Sequence, residues 1–472
     1  MSALDFARLQ FAITTLFHFI FVPMSIGLAL YVAICQTRYH RSGDELWLRA
    51  TRFWGRFLLI SMAIGVVTGI VQEFQFGMNW SLFSRYVGDI FGAPLAMEGL
   101  IAFFLESTFI GLWIFGWGRL PKRMHLATIW LTAIATMLSA YFIIVANGWM
   151  QHPVGYTIDH ASGRAELSNV FAVLFNPIAL LGFLHTVLGA ITTGGMLVIA
   201  ISGYLMLRGR GGEMVSRSMR MALPFALVAV SLTMFVGDSQ GRVLVNQEPM
   251  KMAAAEAVCN SGHGQSFSIF SVAGFTDNPC PNHISSIRIP HLLSLIEDLS
   301  WNGDIRGIDQ IQAAERAQYG PGNYVPPVGV EYWSFRLMIG AGMLMALIAL
   351  VGMVLVRRRR LDRARWFKWL ALLGLPLPIL ANWCGWIFTE VGRQPWVVFG
   401  LLKTAEANSP NVGLASIIVT LGGYIVIYGV LIATGAWLMW REVGHGPEPE
   451  PDEPSSPQPP GTTPKPDLAM AY

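Results

Sequence analysis

Apolar residues in this chain gather into long runs separated by short polar stretches. A helix needs roughly 20 apolar residues to cross about 30 Å of hydrocarbon. Nine segments meet that need: 10–36, 53–75, 93–117, 125–150, 171–207, 219–238, 332–356, 366–390 and 412–440. The run at 171–207 holds more than one crossing's worth of residues. The first run lacks a basic leader and continues past the length of a signal-peptide core, so it is expected to remain as a helix. The fold class predicted is an all-α integral membrane protein. Two stretches fall outside this pattern, the connection 239–331 and the end of the chain. The expected organisation is therefore helices over 1–238, a loop segment 239–331, helices over 332–440 and a tail 441–472. That tail is rich in Pro and acidic residues and cannot bury a core, which predicts disorder.

Composition agrees, with 53% hydrophobic and 13% charged residues, which excludes an ordinary soluble domain. A net charge of +3 is too small for nucleic-acid binding, and what matters is where the Lys and Arg lie. The alternate loops 37–52, 118–124, 208–220 and 357–368 hold eighteen of them, against five in 1–9, 76–92, 151–170 and 391–411. The positive-inside rule then places the N-terminus outside and the C-terminus in the cytoplasm. The run Arg357 to Arg360 is sufficiently explained as a topology anchor. Of four cysteines, Cys35 and Cys384 lie at or within helix ends and are expected to be inert. Cys259 and Cys280 share the outer connection, where a disulfide is permitted; a bridge is the expectation and two free thiols the alternative.

An ionisable residue inside a span is costly and so is a functional candidate. His18 and His185 lie about ten residues from the outer ends of their spans at a rise of about 1.5 Å per residue, and Met338 slightly nearer the surface. Glu98 is within about two turns of the same face, and Glu390 closes its helix there. Each has a plainer reading alone: a hydrogen-bonded membrane histidine, or a methionine filling the core. Together they form one layer of imidazole, thioether and carboxylate, a set suited to axial haem ligation. Glu106 lies eight residues beyond Glu98, with Ser107 beside it and Ser139 on the next helix. A carboxyl at that depth can carry a proton, the plainer reading being a protonated packing contact.

These residues sit in strings that resemble subunit I of the cytochrome bd quinol oxidases over nearly the whole chain: RLQFAITTLFHFIFVP, EFQFGMNWSLFSRYVGDIFGAPLAMEGLIAFFLEST, VANGWMQ, FLHTV, FRLM and GWIFTEVGRQPW. The resemblance implies a fold of two four-helix bundles and one peripheral helix. It implies that His18 serves a high-spin haem iron and that His185 and Met338 ligate a low-spin haem b. Glu390 resembles the ligand of a second high-spin haem. Glu98 maps to the haem d site and Glu106 to its proton route, with Asn147 near that route. Trp386, Arg336 and Arg393 match positions near the haems. The string GDSQGRVLVNQEPMKMAAAEA resembles the start of a quinol-binding loop of the short class and places Lys251 and Glu256 at quinol oxidation. Read as a helix, those two residues are about 140° apart and need not touch; by themselves they would pass for solvated loop charges.

The implied activity is electrogenic: quinol oxidised at the outer face, O₂ reduced to water with cytoplasmic protons, and no pump. The implied cofactors are a low-spin haem b, a high-spin haem b and haem d. The implied partners are a homologous haem-free membrane subunit II, alone or with small accessory subunits, together with menaquinol or ubiquinol, O₂ and the lipid bilayer of a bacterial cytoplasmic (inner) membrane. Two other readings stay open: a cyanide-insensitive relative carrying only b-type haems, and a transporter. No inverted repeat supports the second.

Overall fold

The computed structural model describes residues 2–272 and 285–447. Among the described residues, nine helices are long and apolar enough to cross a membrane: α1 (Ala3–Ser42), α2 (Glu45–Met78), α3 (Ser81–Phe115), α4 (Lys122–Gln151), α5 (Val170–Leu207), α6 (Gly212–Gln247), α10 (Val328–Arg357), α11 (Arg365–Val391) and α12 (Leu414–His445). Three short helices lie between α6 and α10: α7 (Pro249–Ala255), α8 (Leu292–Asp298) and α9 (Ile308–Tyr319).

The spans run longer than the apolar runs, because a helix needs apolar side chains only within the hydrocarbon and continues through its flanks. Two boundaries move as a result. Helix α6 continues to Gln247, so the first residues of the expected 239–331 loop are helical, and α12 reaches His445, past the expected start of the tail. From 448 onward the tail lies outside the described residues. Residues 171–207 make one crossing, interrupted where Asn176 caps the helix that begins at Pro177; the surplus length forms the short turn before that cap.

The helices α1 to α4 pack on one another, and α5, α6, α10 and α11 form a second group. Helix α1 also packs on α5, and α12 lies outside against α1 and α2. These pairings are consistent with two four-helix groups and one peripheral helix. Polar bonds join the groups inside the apolar core: Tyr31 Oη donates to the Ser218 carbonyl (2.8 Å) and Trp54 Nε1 to Ser218 Oγ (3.1 Å).

The α1–α5 crossing depends on glycine. A Cβ on Gly27 would lie 2.3 Å from the Ala190 carbonyl oxygen and 2.8 Å from Gly194 Cα, both backbone atoms that cannot swing aside. Small residues let membrane helices approach this closely. Gly27→Ala should cost about 1–3 kcal/mol through forced separation, more than any gain in helix propensity. Thermal unfolding in detergent would measure the loss, and an unchanged midpoint would show that the crossing is not tight.

Candidate functional site

Three histidines sit inside spans with hydrogen-bonded rings, and their bonding separates them. His125 uses both ring nitrogens, Nδ1 with Gln36 Nε2 (2.9 Å) and Nε2 with the Trp113 carbonyl (2.8 Å), as a structural residue would. His185 Nδ1 faces the Thr233 carbonyl at 3.1 Å and must be the donor there. His18 Nδ1 lies 2.8 Å from Thr68 Oγ1, whose own hydrogen is directed to the Ile64 or Gly65 carbonyl, both at 3.0 Å. Thr68 therefore accepts from Nδ1–H. In both His18 and His185 the Nε2 lone pair is left without a hydrogen bond among the described residues, the tautomer a metal-ligating imidazole needs.

His185 on α5 and Met338 on α10 stand on helices that do not pack closely together. Each instead packs on α6 and α11, so the two residues come from diagonal corners of the second group. The intervening helices present glycine beside each of them. A Cβ on Gly237 would lie 3.0 Å from His185 Cε1, and one on Gly385 would lie 3.0 Å from Met338 Sδ. A side chain larger than glycine would crowd the imidazole ring and the thioether sulfur, so the bundle keeps space open beside both. Imidazole and thioether are donor types that suit a haem iron.

His18 opens instead onto an interior cavity of about 750 Å³, within the range of sizeable ligand pockets. Glu98, Glu106, Trp386, Glu390 and Arg393 line it too. The local structure of α3 explains why both of its glutamates do. Eight residues of regular helix would turn Glu106 about 80° away from Glu98. Residues Glu98–Phe103 form a π-turn, whose one extra residue takes up about 100° and leaves the two carboxyls roughly 20° apart. Ser139 donates to Glu98 Oε1 (2.6 Å), so it serves Glu98, whereas the sequence had suggested Glu106; Ser107 bonds back to the Phe104 carbonyl.

Glu390 is held on both oxygens. Asn147 Nδ2 donates to Oε1 (2.7 Å) and Arg393 to Oε2 (2.5 Å). Asn147 thus serves Glu390. Arg393 is buried and its second terminal nitrogen has no hydrogen-bond partner among the described residues, although the residue lines the cavity, so it is suited to an anionic group of a bound ligand. Trp386 stacks on Phe19 (4.8 Å between ring centroids) and lines the cavity, one residue after the Gly385 that lies against Met338.

Lys251 and Glu256 do point apart. Lys251, on α7, is buried, with Nζ bonded to Gln151 Oε1 and 2.7 Å from Glu248 Oε2. Gln151 in turn reaches Asn147 Oδ1 (3.3 Å), which ties Lys251 to the Glu390 cluster. Glu256 caps α7 and takes both terminal nitrogens of Arg336, two residues before Met338. Arg336 is further held by the Ser268 carbonyl (2.9 Å) and by the Phe267 ring (4.4 Å) of strand β1 (Phe267–Val272). Burial pushes the Glu256 carboxyl above its usual range, with Arg336 opposing. Cys35 and Cys384 are free and buried. Cys259 is disulfide-bonded, and Cys280, its expected partner, lies outside the described residues.

Several residues of this region escaped the sequence reading. Glu73 lines the cavity beside Glu98; its signal was a carboxylate at the end of an apolar run. Glu331 is wholly buried, neither oxygen has a hydrogen bond among the described residues, and a Cβ on Gly392 would fall 2.1 Å from Oε1. Its signal was an acid one residue before an expected span. Glu248, Gln151 and Glu297 carried none, since each resembles an ordinary loop or helix-end residue.

Fold and site together define a polytopic membrane protein with a cavity lined by imidazole and carboxylate groups and a further imidazole and thioether within its second helix group. The chain belongs to the cytochrome bd terminal oxidase subunit I family, whose profile matches residues 6–447. It is similar to cytochrome bd ubiquinol oxidase subunit 1 of Bacillus subtilis (strain 168), at 44% identity over 95% of each chain. It is also similar to cytochrome bd-II ubiquinol oxidase subunit 1 of Escherichia coli (strain K12), at 36% identity over 86% of this chain and 90% of the relative. The solved bd oxidase from Geobacillus thermodenitrificans matches with a TM-score of 0.85 at 26% identity, covering 94% of this chain and 99% of that one.

Proposed function

We propose that this chain is the haem-carrying subunit of an electrogenic quinol:oxygen oxidoreductase that oxidises quinol at the loop end of the helices and reduces O₂ at the interior cavity. The observation that carries this reading is the cavity that gathers His18, Glu98, Glu106 and Glu390, with the His185 and Met338 donors beside it. When bound, haem would supply one-electron transfer and the iron at which O₂ is reduced.

His185 and Met338 would hold the low-spin haem b. His18, Glu390 and Glu98 serve the high-spin haem b and haem d in the cavity. Arg393 neutralises acidic groups there through its free nitrogen, and Trp386 fills the space between the two sites. Glu106 holds a proton and passes it toward Glu98, the π-turn having aligned the two carboxyls. Glu256, set by Arg336, receives a quinol proton. Lys251 acts from inside, fixing α7 to Gln151 and Glu248.

The bias of Lys and Arg toward one set of loops supports an orientation with the N-terminus outside and the C-terminus in the cytoplasm of a bacterial cell. Protons are then released outside and taken up from the cytoplasm, which separates charge without a pump. The outward apolar face of α3, with Leu100 and Phe104 largely exposed, suits the homologous subunit II or lipid.

Glu106→Gln tests the proton role. The purified complex should keep its haem complement in the reduced-minus-oxidised spectrum while O₂ reduction falls by roughly 10²-fold or more, as for a lost acid–base group. Loss of all haem would make Glu106 a structural residue. Absence of the far-red haem d band from the unsubstituted complex would leave the cavity with b-type haems alone.

A further inference from the structure

Oxidation of one quinol to a quinone breaks two O–H bonds. Two electrons pass on toward O₂ through the enzyme's own chain, and two protons must find bases and then leave. Glu256 can receive a proton, but both of its oxygens are engaged by Arg336, so it is poorly placed to release that proton to water. A second carboxylate stands next to this pair. Glu297, on α8, lines a narrow cleft together with Val245, Met252, Glu256 and Arg306. Its Oε1 is enclosed and lacks any hydrogen-bond partner among the described residues, while the residue as a whole remains partly exposed. The Glu297 carboxyl therefore shares the cleft with Glu256, with one oxygen enclosed, while the residue itself reaches solvent.

Resting on the loop site proposed above, we propose that Glu297 is a positioning residue for quinol oxidation, which takes the proton from Glu256 and hands it to the water outside. In the transfer the O–H bond on neutral Glu256 breaks and one forms on Glu297; Glu256 regains its charge against Arg336 and is ready for the second quinol proton. Glu297 then loses its own proton to water. No electrons move in this step.

The surroundings suit such a relay. The charges that Glu297 feels are Glu256 from α7 and Arg336 from α10. Of the charged groups on the neighbouring elements, Asp238 on α6 pairs with Arg242 at 2.7 Å, Asp304 faces His263 at 3.9 Å, and Arg306 donates to the Val245 carbonyl at 3.1 Å. Burial first, then repulsion by Glu256, push the Glu297 carboxyl up to about 8 against the pull of Arg336. A group in that range is protonated and deprotonated with comparable ease near neutral pH, as a relay must be.

The test uses the intact purified complex and a soluble short-chain quinol. With Glu297 free to act, kcat should rise with pH through about 8, where the carboxylate becomes available. Glu297→Gln should flatten that rise and lower kcat about 10-fold at alkaline pH, less than the roughly 10²–10⁴-fold of a primary general base, with KM changed little. Glu297→Asp should restore part of the rate and of the pH dependence. The reduced-minus-oxidised spectrum checks that each variant carries its haems. An unaltered pH profile in Glu297→Gln, with Glu256→Gln impaired, overturns the relay and leaves the loop site standing. Full quinol turnover in Glu256→Gln overturns the loop site itself.

Discussion

His185→Ala removes the low-spin haem signal from the reduced-minus-oxidised spectrum and leaves the chain inserted in the membrane. The substitution deletes the imidazole that would hold this haem and disturbs no span, because among the described residues the His185 ring makes one hydrogen bond, from Nδ1 to the Thr233 carbonyl. Met338→Leu has the same spectral effect with almost no change in side-chain volume, which separates ligation from packing. Quinol-driven O₂ uptake should fall by more than the roughly 10–100-fold typical of losing an outer-shell partner. A normal low-spin spectrum in either variant would mean that the imidazole and thioether at diagonal corners of the second group are packing residues after all.

Glu256→Ala is expected to harm both quinol oxidation and stability. Its carboxylate and the Arg336 guanidinium have 5% and 9% of their side-chain surface exposed, so each neutralises the other where water cannot. Removing one partner of a buried pair leaves the other uncompensated, at a cost of about 3–5 kcal/mol. Arg336→Ala should therefore behave alike, and the double variant should lose less stability than the sum of the single ones. Quinol kinetics together with thermal unfolding of the purified complex read both effects. Strict additivity would show that the pair is not coupled. Normal quinol KM and kcat in Glu256→Gln would return this carboxylate to a purely structural role.

The membrane character and the number of crossings were legible in the sequence, because the thickness of hydrocarbon sets a minimum apolar length that each helix must meet within its own residues. The candidate ligands were legible for a related reason: His18, His185, Glu98 and Glu106 stand out where a polar group is costly. Helix ends were less so, and α6 passed nine residues beyond its apolar run because nothing in its flank forbids helix. The π-turn at Glu98–Phe103 has no sequence mark, yet it decides that Glu98 and Glu106 face one cavity. The partners of Lys251 were hidden as well, since Gln151 lies 100 residues away. Glu256 looked like a solvated loop charge and is instead buried against Arg336, 80 residues further on. What the sequence alone determined follows from the meeting of each segment with the membrane. What only the tertiary structure decided, the pairing of charges and the aim of ligands across helices, follows from contacts between segments, in which the environment of a side chain is made by residues far from it along the chain.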